Sequence, residues 1–325
     1  MSASDPHRPL LARVVVTETL DAACADWLAA RAEVVRVRHD DAAAMAAALP
    51  DADALIVRTY TQVTDALLAQ APRLRVVGRA GVGLDNIDVP ACRRRGVEVV
   101  YTPDANTQAV VEYVLGLMLD AYRPRTPLPA DADDAAFHHL RKTEVGTQLS
   151  TLTLGIVGFG RIGKRVGQVA HALGMNVLVC DVLPEAELRK AVAFPFDFVD
   201  HATLYRRSDI VTLHADGRAA NRHMMDAAAL DHLRERVLFI NAARGMLVDG
   251  QALAAWARAH PQARVVLDVH DPEPPAADDP LRRVPNVTLL PHLASRTGPA
   301  LENMSWVVRD VAAVLAGDAP RFPAP

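Results

Sequence analysis

Short apolar runs alternate with segments of helical periodicity along the first third of the chain. The apolar runs are 13–17, 34–37, 54–57, 74–78 and 97–101, and the helical segments among them are 21–31, 41–49 and 64–70. A glycine-rich turn over 78–88 follows the fourth run. Strands that alternate with helices are typical of a parallel sheet covered on both faces, whose ligands bind at the carboxyl ends of its strands. This pattern predicts a doubly wound α/β domain.

The second half of the chain repeats the alternation. An apolar run over 153–157 leads into a helix over 161–173, and later apolar runs occupy 175–180, 210–214, 237–241, 265–269 and 287–290. A last helix is predicted over 298–316. We therefore expect a second doubly wound parallel sheet.

A long apolar helix over 107–122 precedes a break in this pattern. Three prolines and three aspartates interrupt the periodicity between 124 and 134. Proline clusters end helices and mark turns. We interpret this segment as a linker or arm.

The turn after the run over 153–157 has the glycine spacing of a dinucleotide-binding site. Gly158 permits the tight bend, Gly160 lets the backbone approach a pyrophosphate, and Gly163 lets the helix pack close to the strand. The amides of Arg161 and Ile162 would then bind the phosphates at the positive end of the helix dipole.

Asp181 ends the next apolar run, at the position where an acidic residue accepts hydrogen bonds from the adenosine ribose. A carboxylate there repels a 2′-phosphate, so we predict NAD as the cofactor. The alternative is that Asp181 is an ordinary turn residue at the end of a strand.

The composition excludes several classes of partner. With a net charge of −4 over 325 residues and scattered basic residues, there is no stripe to bind nucleic acid or an anionic membrane. Cys24, Cys92 and Cys180 lie far apart, so neither a disulfide framework nor a metal site is predicted. Residues 1–9 lack the apolar core of a signal peptide, and no apolar run approaches the ~18 residues of a membrane span. We expect a cytoplasmic protein.

Six sequence blocks, in this order, resemble the D-isomer-specific 2-hydroxyacid dehydrogenases. They are GRAGVGLDNID (78–88), NTQAVVE (106–112), LGIVGFGRIG (154–163), NAARGMLVD (241–249), LDVHDPEP (267–274) and PH (291–292). The resemblance implies a flavodoxin-like substrate domain over 1–104 and a Rossmann NAD domain over 105–293. It also implies a C-terminal helix over 294–325 that returns to the substrate domain, an active site in the cleft between the domains, and a homodimer formed through an arm over about 124–148.

The resemblance assigns catalysis to Arg244, Glu273 and His292. Oxidation of a 2-hydroxy acid moves a hydride from C2 to the nicotinamide, while the hydroxyl proton passes to a base. His292 is expected to be that base, since a histidine exchanges protons near neutral pH. Glu273 is expected to orient the imidazole and stabilise its protonated form, and Arg244 to hold the substrate carboxylate.

Further cofactor contacts are implied by the resemblance. They are Val82, Ala215, Ala242, Ala243, Arg244, Asp268, His292, Leu293, Ala294 and Ser295. Asp268 is expected to face the nicotinamide carboxamide.

The expected substrate contacts include two arginines beside a glycine-rich turn. The set is Arg58, Arg79, Val82, Gly83, Asn106, Arg244 and His292. The amides of Val82 and Gly83 could form an anion nest, and the added positive charge favours a substrate with a second anionic group. An ordinary surface ion pair is the alternative for Arg79.

The sequence over 76–81 is similar to phosphoglycerate dehydrogenases, here of a short type without a regulatory domain, so no serine feedback through such a domain is expected. The leading hypothesis is therefore an NAD-dependent oxidoreductase acting on 3-phosphoglycerate and phosphohydroxypyruvate. The alternatives are hydroxypyruvate or glyoxylate reduction, an NAD(H)-sensing corepressor, and a nucleotide-binding domain without chemistry.

Three departures from the family pattern affect the substrate hypothesis. Asp216-Gly217-Arg218 replaces a Pro-Leu-Thr sequence, His139 replaces the tryptophan usual in phosphoglycerate dehydrogenases, and Leu290 replaces a threonine. These changes leave the reaction class as predicted and place the identity of the 2-hydroxy acid in question.

Overall fold

The computed structural model describes residues 11–325, so the segment 1–9 that we interpret as lacking a signal peptide lies outside the described residues. The chain divides into two compact units, one running to Asn106 and resuming over Thr297–Pro325, the other comprising Thr107–Arg296. The domain boundaries predicted at 104 and 293 stay predictions; they fall two and three residues before these edges.

Five parallel strands form the sheet of the first unit. They are β1 (Arg13–Val16), β2 (Glu33–Arg36), β3 (Ala54–Val57), β4 (Val76–Arg79) and β5 (Glu98–Tyr101). Their order in the sheet is β2-β1-β3-β4-β5, which is the flavodoxin-like order and confirms the predicted fold of this unit. Val57 pairs with Arg79, so Arg58 and the turn after Arg79 leave the sheet at the same carboxyl edge.

Alternating side chains of these strands enter two hydrophobic clusters, one on each face. Val15 and Leu55 belong to one cluster and Val14 and Ile56 to the other. The intervening helices are α1 (Ala22–Ala29), α2 (Ala42–Ala48), α3 (Asp65–Ala69) and α4 (Val89–Arg94). Each begins at an aspartate or threonine whose side chain accepts a backbone amide of the first turn. Both faces of the sheet are thus covered, as the apolar runs predict.

The second unit contains seven parallel strands. They are β6 (Thr153–Val157), β7 (Asn176–Cys180), β8 (Asp197–Phe198), β9 (Ile210–Leu213), β10 (Leu238–Asn241), β11 (Arg264–Leu267) and β12 (Val287–Leu289). Their order is β12-β11-β10-β9-β6-β7-β8, the Rossmann arrangement with one further strand, and it confirms the second predicted fold. The strand order reverses between β6 and β9, which is where such sheets bind their ligands.

The helices of the second unit connect these strands. They are α5 (Thr107–Tyr122), α6 (Asp134–Thr143), α7 (Arg161–Ala172), α8 (Glu185–Lys190), α9 (His201–Arg207), α10 (Ala227–Leu230) and α11 (Gly250–Ala259). Among residues 11–325, no helix is long and apolar enough to cross a membrane.

The predicted break in periodicity over 124–134 is followed by helix α6, which no sequence pattern had indicated. The prolines end at Pro129, and Asp133 then accepts the Ala136 amide at 2.8 Å as an N-cap. A cap followed by a proline-free stretch is sufficient to begin a helix.

The prediction of one continuous helix over 298–316 is wrong. The chain forms α12 (Gly298–Ser305) and α13 (Val308–Ala316) instead. The amide of Val307 donates to Met304 and that of Arg309 to Trp306, so the spacing of the bonds tightens to three residues at the junction. The apolar periodicity continues across this tight turn, so hydrophobic spacing alone does not reveal it.

Candidate active site

The glycine turn after β6 has the close backbone approaches that its spacing predicts. Gly158 has φ of +89°, and a Cβ there would lie 2.6 Å from the nitrogen of Ala215. A Cβ on Gly163 would lie 2.2 Å from the oxygen of Gly158. Both positions therefore require glycine. Apart from its two chain neighbours, no atom of residues 11–325 lies within 4 Å of a Cβ built on Gly160, so the space beside this residue is open.

The start of α7 fits a pyrophosphate. Gly160 is the N-cap residue and supplies no side-chain acceptor to the first amides of the helix, which begins at Arg161. Amides at a helix N-terminus and the helix dipole together favour an anion at this position. The open space at Gly160 and the lack of a capping side chain on this residue support the fit to NAD.

Asp181 lies beside the glycine turn. Its Oδ2 accepts the Phe159 amide at 2.5 Å and its Oδ1 accepts the Leu183 amide at 2.8 Å. Each carboxylate oxygen can accept a further bond. Asp181 thus organises the turn, as the alternative interpretation expects, and retains acceptor capacity for a ribose hydroxyl.

His292 and Glu273 form a direct pair. The Nδ1 atom of His292 lies 2.7 Å from Oε1 of Glu273. Because an ionised carboxylate only accepts hydrogen bonds, Nδ1 carries the hydrogen, which leaves Nε2 as the ring atom that can exchange a proton. His292 has φ of +55°, so the loop holds its backbone in the left-handed region.

The environment keeps Glu273 ionised. Burial raises its pKa, but the hydrogen bond and charge of His292, together with the amide and charge of His270, outweigh burial and hold the pKa below its usual value. His270 also anchors the neighbouring loop, since its Nε2 lies 2.8 Å from the Leu290 oxygen. No sequence pattern indicates this role of His270.

Asp268 fixes the loop that follows His292. This carboxylate is only 1% exposed, and it accepts the Leu293 amide at 2.8 Å and the Ala294 amide at 2.9 Å. The hydroxyl of Tyr113 donates to the same carboxylate at 3.1 Å. Burial raises the pKa of Tyr113 and the charge of Asp268 raises it further, so this donor stays protonated. Tyr113, on α5, is a second residue that the sequence analysis missed.

Arg244 follows β10 in a backbone segment clamped from two sides. The buried Asn241 side chain donates to the Arg244 oxygen at 2.8 Å and accepts the Ala243 amide at 3.1 Å. A Cβ on Gly245 would lie 2.0 Å from the carbonyl of His270. The Arg244 guanidinium donates to the Ala243 oxygen at 2.6 Å. The structure therefore brings the Arg244 segment against the His270 segment, and through His270 towards Glu273. Ala242 and Ala243 lie within the clamped segment.

The loop after β9 contains the departure from the family pattern. Arg218 pairs with both oxygens of Asp216, which lowers the pKa of Asp216, and the Asn221 side chain donates to the same residue. The preceding His214 has its pKa lowered to about 4 by burial and is neutral at pH 7. Asp216 and Arg218 therefore neutralise each other within the loop.

The predicted substrate residues of the first unit lie at the end of β4, in the loops after β3 and β4, and before α5. The guanidinium of Arg58 donates to the Thr19 oxygen at 3.0 Å, and that of Arg79 to the Ala80 oxygen at 2.8 Å. Val82 and Gly83 follow in the glycine-rich turn, and Asn106 directly precedes α5. Ser295 lies one residue beyond the loop that Asp268 fixes.

Residues 11–325 contain no group of three or more histidine, cysteine or acidic side chains that could hold a metal ion. The three cysteines are free and buried.

Comparison with known proteins identifies the family. Residues 115–294 match the NAD-binding domain of the D-isomer specific 2-hydroxyacid dehydrogenases. The chain belongs to this family, and its second unit contains the family's NAD-binding domain.

Two curated relatives and one solved structure illustrate the match. The chain is 35% identical over 308 residues to a D-3-phosphoglycerate dehydrogenase of Mycobacterium leprae, covering 94% of this chain and 57% of that protein. It is 32% identical to a hydroxypyruvate reductase of Thermotoga maritima, covering 89% and 93%. A crystal structure of a Thermus thermophilus protein superposes with a TM-score of 0.82 at 30% identity, covering 96% and 100%. The chain spans about half the length of the phosphoglycerate dehydrogenases it matches.

We expect His292→Leu to raise the pKa of Glu273. The variant removes the hydrogen bond and the charge of His292 but keeps an apolar neighbour, so only the amide and charge of His270 still oppose the effect of burial. In the wild type, the lowered pKa of Glu273 stabilises the folded state at pH values above the ordinary carboxyl pKa of about 4.3. This contribution is lost as the pH falls through the lower pKa of the folded state. Carbon-13 NMR titration of the Glu273 carboxyl measures the change. His171→Leu, on α7, is the control, and an unchanged Glu273 pKa in His292→Leu would contradict the pairing.

Proposed function

We propose that this chain is an NAD-dependent D-2-hydroxyacid dehydrogenase, an oxidoreductase acting on CH–OH groups. The observation that carries the proposal is the 2.7 Å contact between His292 Nδ1 and Glu273 Oε1, in which the carboxylate is held ionised. Membership of the family supports the same reaction.

The catalytic roles follow from the chemistry of these side chains. NAD, when bound, supplies the hydride acceptor or donor at the nicotinamide. His292 Nε2 takes the hydroxyl proton during oxidation and returns it during reduction. Glu273 stabilises the imidazolium that forms, and Arg244 binds the substrate carboxylate through its fixed fork of donors.

Most of the residues that we propose as cofactor contacts belong to the second unit, and Val82 belongs to the first. The amides of Arg161 and Ile162 bind the pyrophosphate beside Gly158, Gly160 and Gly163, and Asp181 accepts the ribose hydroxyls. The remaining proposed contacts are Val82, Ala215, Ala242, Ala243, Arg244, Asp268, His292, Leu293, Ala294 and Ser295. The bonds from Leu293 and Ala294 to Asp268 support an ordered loop at this position.

We infer that the substrate is 3-phosphoglycerate or phosphohydroxypyruvate. Arg58 and Arg79 leave adjacent strands at one sheet edge, which supports recognition of a second anionic group. Val82, Gly83 and Asn106 complete the proposed substrate set. Reduction of hydroxypyruvate or glyoxylate is the second candidate, and the match to 93% of the Thermotoga hydroxypyruvate reductase favours it.

We also propose a homodimer formed through the arm at about 124–148, and a cytoplasmic location. None of the residues of helix α6 is buried against the rest of residues 11–325. Leu128, Phe137 and Val145 are 51%, 46% and 80% exposed. Apolar side chains exposed together on one segment favour a partner surface. The free, buried cysteines are compatible with a reducing compartment.

The first experiment measures NADH oxidation with phosphohydroxypyruvate, hydroxypyruvate, glyoxylate, pyruvate and 2-ketoglutarate at matched concentrations. We expect preference for phosphohydroxypyruvate, and about 10²–10⁴-fold slower turnover in His292→Ala with NADH binding retained. His171→Ala is the control. Preference for unphosphorylated acids would favour the second candidate. NADH binding without any turnover would overturn the enzymatic proposal and favour an NAD(H)-sensing role.

We expect Asp181→Asn to improve the use of NADPH relative to NADH by about tenfold, because the amide removes the charge that repels a 2′-phosphate while keeping one acceptor oxygen. KM values for both cofactors measure the effect. Asp226→Asn is the control, since Asp226 also accepts a backbone amide, at the start of α10. A wild type that already prefers NADPH would show that Asp181 does not discriminate between the cofactors.

Replacing residues 124–145 by a short glycine-serine linker should produce monomers. The amide of Thr147 donates to the Tyr122 oxygen at 2.8 Å, so the ends of the arm are already adjacent and a short linker can join them. Light scattering coupled to size-exclusion chromatography measures the mass. Phe137→Asp is a milder companion variant, expected to weaken the dimer. A dimer that persists in both variants would place the interface elsewhere.

A further inference from the structure

Glu18, two residues after β1, has its carboxylate inside the loop that follows β3. Its Oε1 accepts the amides of Arg58 and Tyr60 at 3.0 Å each and that of Thr61 at 3.4 Å, and its Oε2 accepts the amide of Thr59 at 2.9 Å. Four consecutive amides, Arg58–Thr61, thus converge on one side chain. Hydrogen bonds from backbone amides to a carboxylate are stronger than neutral ones, so this contact defines the loop's conformation.

The carbonyl groups of the same loop are held from the opposite direction. The Asn86 side-chain amide donates to the Arg58 oxygen at 3.2 Å and to the Thr61 oxygen at 2.8 Å. The hydroxyls of Thr17 and Thr61 lie 2.6 Å apart. Both ends of the loop are therefore fixed, and its four amides all donate to Glu18.

The side chain of Arg58 is held by the same short segment. Its guanidinium donates to the oxygen of Thr19, the residue after Glu18. The Glu18–Thr19 segment therefore contacts both the backbone and the side chain of Arg58. A change at Glu18 that releases the loop would also release the guanidinium.

Four converging amides form an anion-binding nest, and Glu18 already fills this one. An anionic group of a substrate cannot use these amides, so recognition of such a group at this loop depends on the guanidinium. We propose that Glu18 is a positioning residue that sets substrate specificity: it holds the Arg58 guanidinium for the distal anionic group of the substrate. This inference rests on the proposed dehydrogenase function.

Glu18→Gln is the informative variant, because it preserves size and removes one acceptor. A glutamine amide has one acceptor oxygen, and its NH2 group would face a backbone donor of the loop. The expected result is a KM for phosphohydroxypyruvate raised about tenfold, the effect of losing a hydrogen bond to a charged group, with kcat little changed. The KM for glyoxylate, which lacks a distal anionic group, should change by less than about twofold.

Glu98→Gln is the matched control. Glu98 begins β5 at the opposite, amino end of the sheet, and its carboxylate accepts only the neighbouring Val99 amide among the described contacts. It should leave both KM values unchanged. Combining Glu18→Gln with Arg58→Ala tests the route of the effect: if Glu18 acts through Arg58, the double variant has the same KM as Arg58→Ala alone.

Amide hydrogen exchange over residues 58–61 gives a readout independent of activity. Glu18→Gln should speed exchange there, while Glu98→Gln should not. Unchanged exchange, an unchanged KM ratio between the two substrates, or an equal loss of kcat on both substrates would overturn the inference while wild-type turnover preserves the proposed function. A wild type that reduces none of the 2-keto acids would overturn the proposed function and, with it, the substrate role of Glu18.

Discussion

The buried carboxylate of Asp268 is the constraint on which the loop after β12 depends. It binds two successive amides of the loop after β12 and the hydroxyl of Tyr113 on α5. A buried charge without partners costs several kcal/mol, so displacement of either group would be strongly unfavourable. The loop position next to Leu293 is thereby fixed, and this is the position of His292. A side chain outside the His292–Glu273 pair therefore determines where that pair can form.

The same device recurs at two other strand ends. Asp181 follows β7 and accepts an amide of the loop after β6, its neighbour in the sheet. Glu18 follows β1 and accepts amides of the loop after its neighbour β3. Asp268 follows β11 and accepts amides of the loop after its neighbour β12. Loops at the carboxyl edge of a parallel sheet have amides that no further strand satisfies, and a carboxylate from the adjacent strand end satisfies them.

The sequence predicted what depends on local pattern. Apolar runs and glycine spacing predicted both sheets and the turn at Gly158, because these features follow from periodicity and from backbone geometry within a few residues. The contact of Tyr113 with Asp268 spans 155 residues and that of Glu18 with Arg58 spans 40, and no local pattern reports such partners. The junction between α12 and α13 was missed for another reason, since a tight turn preserves hydrophobic spacing. The roles expected of Arg244, Glu273 and His292 rest on the family resemblance of the sequence blocks. The structure adds the contacts that hold these side chains.

The bond between Thr147 and Tyr122 closes the arm on itself. For a flexible loop with fixed ends, doubling the length costs only about 0.6 kcal/mol in closure entropy. The parts of the segment from 123 to 146 outside helix α6 can therefore gain or lose residues at little cost to the strand and glycine turn that follow. Substitutions, insertions and deletions in the arm can therefore change the surface that the arm presents. They need not alter the glycine turn that begins after the strand at Thr153.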